Sequence, residues 1–399
     1  MKTKFLALAM SLGLVIASCS SSDDPTPAPT PATGEITGPI TANTTYAYGN
    51  YTLKGIVKIN SGVTVTFDAG STITIDKATG DNALVVLNGG KLIVNGTADK
   101  PVVFTEKSKI PGSWGGIIMY GDAPVKVAGG GASSTSEDGN NISYGGTNAT
   151  HNGGSLSYVR VEYAGSKLAD GQKENNGFTF YSVGSGTTLD HLVSYKGADD
   201  GFEFFGGTVS MTNAISYGNY DDSFDWQDGW QGQANTNWYA YQTGKGNYGM
   251  EIESSLNDNA FFPKVSNITL KREAGTTPEA PDDQIDAFQF KREGNGEYSN
   301  IIVSGYNGTF TSTGGAVHNG SVVSILEDAT TNQHQVKTSK IKILNVNISG
   351  TTNIVPVAGT GLTFTVAFPT GTFTPSTTAT GASLTAGAWS TVDGVNLIK

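Results

Sequence analysis

The chain repeats a short acidic and aromatic segment. GADDGFEFFGG at 197–207 is followed by GNYDDSFDWQDG at 218–229, so Asp200 and Asp222 occupy equivalent positions 22 residues apart (222 − 200). A unit of this length with two or more short strands cannot bury its apolar face alone, and such units stack on one another. The repeat therefore predicts an all-β solenoid of parallel strands.

The aromatic residues of the repeats fix their register. One apolar column consists of Phe178, Phe202, Phe224, Met250 and Phe288, and a second, two residues on, consists of Phe180, Phe204, Trp226, Ile252 and Phe290. Because side chains alternate between the faces of a strand, both columns share one face, which we expect to be buried. An asparagine column accompanies the next strand and consists of Asn213, Asn237, Asn267 and Asn300. We expect these amides to form hydrogen bonds along the stack.

The same register turns the acidic residues between the aromatic columns outward. Glu203, Asp225 and Glu251 then stand on successive coils about 4.8 Å apart, and Asp200 lies over Asp222 at the preceding turn. Like charges at this spacing repel one another, and a hard cation with oxygen ligands, such as calcium, would offset the repulsion. The sequence predicts that these five acids form a calcium site on an exposed face.

Two other interpretations of the acids stay open. One carboxyl group of a close pair could be protonated, the arrangement used in general acid catalysis. Alternatively, the turn aspartates accept hydrogen bonds from backbone N–H groups and the outward acids are solvated. If the site is catalytic, Glu203 and Asp225 are the candidate acids, and Lys291 and Arg292 in FQFKREG are the candidate bases.

Aromatic residues on the same coils are candidates for contact with sugar rings, on which Trp and Tyr side chains stack while their polar tips form hydrogen bonds. Trp230 lies in QDGWQGQ, a turn-rich segment without a strand pattern, and is expected to be exposed. Tyr241 is the second candidate ligand contact.

The N-terminus carries a targeting pattern. Lys2 and Lys4 precede a short apolar stretch, and the residues before Cys19, the only cysteine, resemble a bacterial lipobox. The pattern predicts a signal peptide at 1–18, a lipid anchor on Cys19 and a disordered Pro/Thr-rich tether at 19–45. SSSDDP after the cysteine resembles the surface-export signals of Bacteroidota lipoproteins, which implies the extracellular side of the outer membrane.

Charge and motifs exclude several functions. The formal net charge of −11 argues against nucleic acid as a partner, because an acidic surface repels phosphate backbones. The chain has no Walker loop, HExxH zinc motif or Rossmann fingerprint. The chemistries that depend on these motifs are therefore not expected.

Two passages carry a family resemblance. LIVNGTADKPVVFTEKS with the later WGGIIMYGDAPV resembles the opening coils of right-handed parallel β-helix proteins of the pectate-lyase-like class. GSGTTLDHLVSYKGADDGFEFFGGTV resembles Bacteroidota surface lipoproteins with a β-helix. The resemblance implies a right-handed parallel β-helix, which we expect at 46–345, with a β-rich C-terminal cap at 346–399.

Three classes of function fit these features. We favour a non-catalytic surface lipoprotein that binds a polysaccharide through the acidic, calcium-dependent face and serves an outer-membrane transporter. A calcium-dependent polysaccharide lyase or glycoside hydrolase is the alternative, and a structural or adhesive surface protein is the second alternative.

Overall fold

The structure is a computed structural model that describes residues 30–168, 174–258, 262–279, 285–312, 314–315, 317–325, 329–350 and 367–399. The predicted signal peptide at 1–18, the predicted lipidated Cys19 and tether residues 20–29 lie outside the described residues.

The described chain is built from short β-strands. In chain order they are β1 (Ala32–Thr37), β2 (Thr44–Tyr46), β3 (Gly49–Lys54), β4 (Ile56–Ile59), β5 (Thr64–Asp68), β6 (Thr72–Ile75), β7 (Ala83–Val86), β8 (Lys91–Asn95), β9 (Val102–Glu106), β10 (Ile117–Tyr120), β11 (Ser134–Thr135), β12 (Ser143–Tyr144), β13 (Gly154–Glu162), β14 (Phe178–Tyr181) and β15 (Thr188–Tyr195). They continue with β16 (Phe202–Phe205), β17 (Met211–Tyr217), β18 (Phe224–Gln227), β19 (Asn235–Gln242), β20 (Met250–Ile252), β21 (Lys264–Arg272), β22 (Phe288–Phe290), β23 (Gly296–Ser304), β24 (Thr309–Thr311), β25 (Val317–Asn319), β26 (Val323–Ile325), β27 (Ile341–Ser349), β28 (Phe373–Pro375), β29 (Thr391–Val392) and β30 (Val395–Asn396). The helical segments are α1 (Ala329–Lys337) and short 3-10 turns at Lys77–Thr79, Ala128–Gly130 and Ala388–Ser390.

Most of these strands stack in parallel into two sheets. The short sheet has 9 strands in the order β26-β22-β20-β18-β16-β14-β10-β7-β4. The long sheet has 15 strands and follows the order β1-β3-β6-β9-β13-β15-β17-β19-β21-β23-β27-β28, with β2, β5 and β8 pairing beside this path. Each strand thus pairs with its equivalent on the neighbouring coils, which is the topology of a parallel β-helix. The predicted fold class is confirmed.

The strands of the long sheet bend at one column of residues. Strands β8 and β9 are separate, yet both pair with the single strand β13, and later coils keep one bent strand. The residue at each bend has a positive φ angle; the column consists of Tyr158, His191, Asn213, Asn237, Asn267, Asn300 and Asn345. Asparagine tolerates this left-handed conformation. Asn237 Nδ2 donates to Asn213 Oδ1 at 2.9 Å and Asn300 Nδ2 to Asn267 Oδ1 at 2.6 Å, which confirms the predicted asparagine stack.

The interior of the β-helix is filled by the predicted aromatic columns. Phe178, Phe202 and Phe224 are fully buried, and the centroids of successive rings lie 5.1 and 5.5 Å apart. The rings are nearly parallel, at 5° and 13°. Stacked rings at this spacing combine a large buried apolar area with favourable ring–ring geometry. Their outward neighbours in the strands are therefore held in register from coil to coil.

Both predicted boundaries of the β-helix need correction. Strand β1 already pairs with β3, so the coils begin at Ala32 and the predicted disordered tether is wrong for residues 32–45. Residues 376–399 do not cap the end of the stack. They run back along the outside of the long sheet, where Thr380 N donates to Asn300 Oδ1 and Trp389 N donates to Ala98 O. Apolar side chains explain this path, because Trp389, Val392 and Leu397 are buried there against tyrosines of the sheet.

Among the described residues, no helix combines the length and hydropathy needed to cross a lipid bilayer.

Candidate functional site

The short sheet places the repeated acids in the predicted register. Glu203 pairs with Asp225 across β16 and β18, and Asp225 pairs with Glu251 across β18 and β20. Their neighbours Phe202 and Phe204 point into the core. The acids therefore project outward from the β-helix, on the face opposite the aromatic columns.

The outward acids are nevertheless buried. Asp200, Glu203, Asp222 and Asp225 are only 7%, 8%, 3% and 7% exposed. The predictions of an exposed acidic face and of solvated acids are wrong for these four residues. The excursion of the chain between β10 and β13, residues 121–153, which we call the flap, packs against Tyr181 and Phe205 on the outward side of the short sheet. Its Glu137 lies close enough to Glu203 to raise the pKa of that carboxyl group, whereas Asp200 and Asp222 are covered by backbone of the neighbouring coils.

Tyrosine–aspartate pairs fasten the flap. Tyr144 Oη donates a 2.5 Å hydrogen bond to Asp228 Oδ2, and the Tyr144 ring lies 4.9 Å from that of Tyr181 on β14. At the base of the flap, Tyr120 Oη donates to Asp138 Oδ2. Asn257 Nδ2 adds bonds to the carbonyl oxygens of Lys126 and Val127 at 2.9 and 3.0 Å. The flap thus covers the sheet through specific polar contacts as well as aromatic packing.

On the outward side of the short sheet and at the turns before its strands, carboxyl groups converge in three overlapping sets. The acid cluster, as we call it, consists of Glu174, Asp199, Asp200, Glu203, Asp221, Asp222 and Asp225. Oxygens of Asp200, Glu203 and Asp225 all lie within 4.8 Å of one another, and so do those of Asp200, Asp221 and Asp222. The structure thus brings together four of the five predicted metal ligands. The fifth, Glu251, lies on the next coil and is paired with Lys291.

Backbone capping accounts for part of the acid cluster. Asp200 Oδ1 accepts a 2.8 Å hydrogen bond from the Asp222 N–H, and Asp222 Oδ1 accepts one of 2.6 Å from the Tyr248 N–H. Each carboxyl group thus bonds to the backbone of the next coil. The capping interpretation is confirmed for these two aspartates, although it leaves their second oxygens and the shared charge unexplained.

Amide side chains account for another part. Glu203 accepts hydrogen bonds from Asn176 Nδ2 at 2.5 Å and from Gln227 Nε2 at 3.1 Å. The sequence analysis missed Asn176, although a signal was present. NNGFTF at 175–180 aligns with DDGFEF at 199–204, so Asn176 is the counterpart of Asp200 one coil earlier.

Burial changes the acidity of the cluster. It is the largest cause of pKa values well above the usual range for Asp199, Asp200, Glu203, Asp222 and Asp225. Neighbouring carboxylates raise these pKa values further, because each charge disfavours the next. The cluster therefore favours either bound protons or a bound cation.

On the following coils of the same face, the acids are paired with basic residues. Lys291 Nζ lies 2.6 Å from Glu251 Oε2 and 3.7 Å from Glu253 Oε2, and Arg292 Nε lies 3.5 Å from Glu253 Oε2. We call these four residues the ion-pair cluster. Burial lowers the pKa of Lys291, but Glu251, Asp225 and Glu253 together raise it well above its usual value. Lys291 is therefore held as a cation.

The predicted aromatic contacts are not at the acid cluster. Trp230 is 1% exposed, and its ring stacks on Phe204 at 4.5 Å, so the expectation that it is exposed is wrong. Its turn folds the indole into the core, where Nε1 donates to the carbonyl oxygen of Val209. Tyr241 is half-buried on β19 of the long sheet, stacked on Tyr217 at 5.1 Å.

A cleft opens between the flap and the short sheet. Its volume is ≈ 290 Å³, and its walls include Glu137, Tyr144, Phe205, Gln227, Asp228 and Arg292. Gln227 connects the cleft to the acid cluster through its bond to Glu203. The cleft therefore offers aromatic, acidic and basic groups to a small part of a ligand.

Comparison with protein families agrees with this architecture. A model of the pectate-lyase like beta helix domain matches residues 38–391, most of the chain, and the chain belongs to this family. The family membership fits a polysaccharide-related role. Comparisons with curated proteins and with solved structures gave no significant match.

Proposed function

We propose that the protein binds a polysaccharide without cleaving it. The observation that carries this proposal is the state of Lys291, the best-placed candidate base. Its ammonium group is held by Glu251 and Glu253, which favour the charged form. A lyase needs a neutral base that can remove a proton from the sugar. A lysine held as a cation is a poor base for this step.

The acids argue against hydrolysis in the same way. Glycosidases place the scissile bond between two carboxyl groups. Glu203 and Asp225 are close neighbours on adjacent strands, but both are buried. A sugar chain would have to displace the groups that cover them to lie between them. Binding therefore fits the geometry better than either lytic or hydrolytic chemistry.

The cleft beside the flap is the proposed contact with the sugar. Gln227 and Arg292 are only partly buried and carry N–H groups suited to sugar hydroxyls. Tyr144 and Phe205 supply the aromatic part of the wall. A cleft of ≈ 290 Å³ matches a short part of a chain rather than a whole polymer.

A variant pair tests this assignment. Arg292→Ala should weaken binding of the recognised polysaccharide about tenfold, measured by titration calorimetry after a glycan-array screen. Lys58→Ala is the matched control, because Lys58 stands in the same outward column as Glu203, four coils earlier, and should leave binding unchanged. Release of shortened or unsaturated sugars by the wild type, lost in Glu203→Gln, would replace binding with catalysis. An absence of binding to any glycan would favour the structural or adhesive alternative.

The N-terminal pattern supplies the proposed location. We propose that lipidated Cys19 anchors the protein in the outer membrane, facing the extracellular side, where it hands its ligand to an outer-membrane transporter. Cys19→Ala should move the protein from the membrane fraction to the soluble fraction. Protease treatment of intact cells should degrade the wild type, and full protection would contradict the outward orientation.

A further inference from the structure

We propose that the acid cluster is a buried calcium site that fastens three successive coils. The ligands are the carboxylates of Asp200, Glu203 and Asp225 and the amide oxygen of Asn176. This inference does not depend on polysaccharide binding.

The first argument is the convergence of carboxylates that have no ion-pair partner among the described residues. The oxygens of the three acids lie within 4.8 Å of one another, and each residue is at least nine-tenths buried. Among the residues that the structure describes, no lysine, arginine or histidine nitrogen lies within 4.0 Å of these carboxylates. Several like charges buried together are electrostatically unfavourable, and a bound cation offsets their repulsion.

The second argument comes from two oxygens that lack donors. Asn176 is 2% exposed, and its Oδ1 has no hydrogen-bond partner among the described residues, while its Nδ2 contacts Glu203 of the cluster. Asp225 Oδ1 is likewise buried without a partner. Buried acceptors are almost always satisfied, so each exception needs an explanation. The amide oxygen of Asn176 is neutral, so it does not add to the charge of the cluster, and it is a typical calcium ligand.

The third argument selects the ion. The candidate ligands are oxygens, without the histidine or cysteine that zinc and other transition metals prefer. Magnesium requires near-octahedral geometry and retains several waters, whereas calcium accepts irregular arrangements of carboxylate and amide oxygens. The strands fix these ligands at positions set by coil stacking. Calcium is therefore the ion that this site fits.

The site would join three coils. Asn176 precedes β14, Asp200 and Glu203 belong to the β16 coil, and Asp225 lies on β18. An ion shared by these coils binds the folded chain only, because the unfolded chain does not bring the ligands together. Binding should therefore raise the melting temperature in a concentration-dependent manner.

Calcium titration of the full chain after EDTA treatment and dialysis tests the proposal. We expect about one calcium ion per chain and a higher melting temperature at about 1 mM calcium, an upper range for extracellular calcium sites. The double variant Glu203→Gln/Asp225→Asn should lose at least tenfold in affinity. Asp286→Asn is the matched control: Asp286 is a buried turn acid on a later coil, bonded to Ser321, and its replacement should leave calcium binding unchanged.

A further variant keeps the test decisive if the double variant does not fold. Asn176→Leu retains every carboxylate and should still weaken calcium binding. The proposal is overturned if the wild type binds no calcium at about 1 mM, if magnesium binds more tightly than calcium, or if Asn176→Leu and the folded double variant bind calcium as the wild type does.

Discussion

The two ends of the acidic face are built from the same kind of residue but are balanced differently. In the ion-pair cluster, Glu251 and Glu253 form ion pairs with Lys291 of the next coil. In the acid cluster, Glu203 accepts hydrogen bonds from two amides and lies beside Asp225, and neither carboxylate has an ion-pair partner within 4.0 Å among the described residues. Both stand outward on the same short sheet, above the same aromatic columns. The difference therefore comes from whether a neighbouring coil supplies a cation and not from the strand register.

This comparison shows how a β-helix can separate scaffold from function. Stacking requires like residues inside, where rings gain contact from coil to coil. Outside, stacking places like charges side by side, which costs energy unless an opposite charge is supplied. In the ion-pair cluster Lys291 supplies that charge, and at the edge of the acid cluster Lys167 pairs with Glu174. Asp200, Glu203 and Asp225 have no ion-pair partner among the described residues, so protons or a bound cation would have to offset their charge.

The largest effect is expected where the chain supplies the balancing charge. Lys291→Met should destabilise the fold by about 2–4 kcal/mol, because it leaves two largely buried carboxylates without their cation. Urea unfolding at neutral pH measures the loss, and Lys58→Met on the same column is the control. A loss below that of the control would mean that the ion-pair cluster is effectively solvated.

Asp286 is a buried acid outside both clusters, and it separates the effect of burial on a carboxyl pKa from the effect of neighbouring carboxylates. Asp286 caps Ser321 through bonds of 2.7 and 2.6 Å, and burial is the largest cause that raises its pKa to about 6. This pKa lies above the value of about 4 in the unfolded chain. The folded chain therefore binds more protons than the unfolded chain at pH values between about 4 and 6. Stability should therefore fall as pH rises from about 4 to 6, by up to about 3 kcal/mol for this group.

Asp286→Asn should remove that part of the pH dependence, because the amide oxygen can still accept from Ser321 but does not titrate. Unfolding measured from pH 4 to pH 7 should show a shallower decline for the variant than for the wild type. Parallel curves would show that Asp286 is ionised throughout this range in the folded protein.

Replacing one acid by its amide in each cluster should change the free energy of unfolding in opposite directions. In EDTA at pH 8, Asp225→Asn should stabilise the protein by about 1–2 kcal/mol, because it relieves repulsion from Glu203 and Glu251. Glu251→Gln should destabilise it, because Lys291 loses its closest partner. Thermal unfolding of both variants provides the measurement. The same sign for both would remove the distinction between the clusters.

The smallest effect on stability is expected for the flap. Tyr144→Phe removes the hydroxyl that donates to Asp228 and should cost about 1.5 kcal/mol, the lower value for a hydrogen bond to a charged group. Hydrogen exchange should accelerate in residues 121–153 and remain unchanged at the inward strand residues of β16. Uniform acceleration would mean that the flap does not open separately from the coils.

The sequence alone predicted the parallel stacking and the register of the strands. Phe202 over Phe224 and Glu203 beside Asp225 follow from a repeat of fixed length and from the alternation of side chains along a strand. Both rules are local, so the printed residues suffice to apply them. The asparagine column was predictable for the same reason, since each coil repeats the requirement of the one before.

Only the tertiary structure decided which outward residues meet solvent. Asp225 is buried, Trp230 lies in the core, and residues 376–399 run along the side of the long sheet rather than over its end. These outcomes depend on contacts between distant segments, such as Tyr144 with Asp228, 84 residues apart. A repeat specifies how a coil sits on its neighbour, but it carries no information about the non-repeating flap that closes over it. For that reason the sequence placed the acids correctly on the strand and incorrectly on the surface.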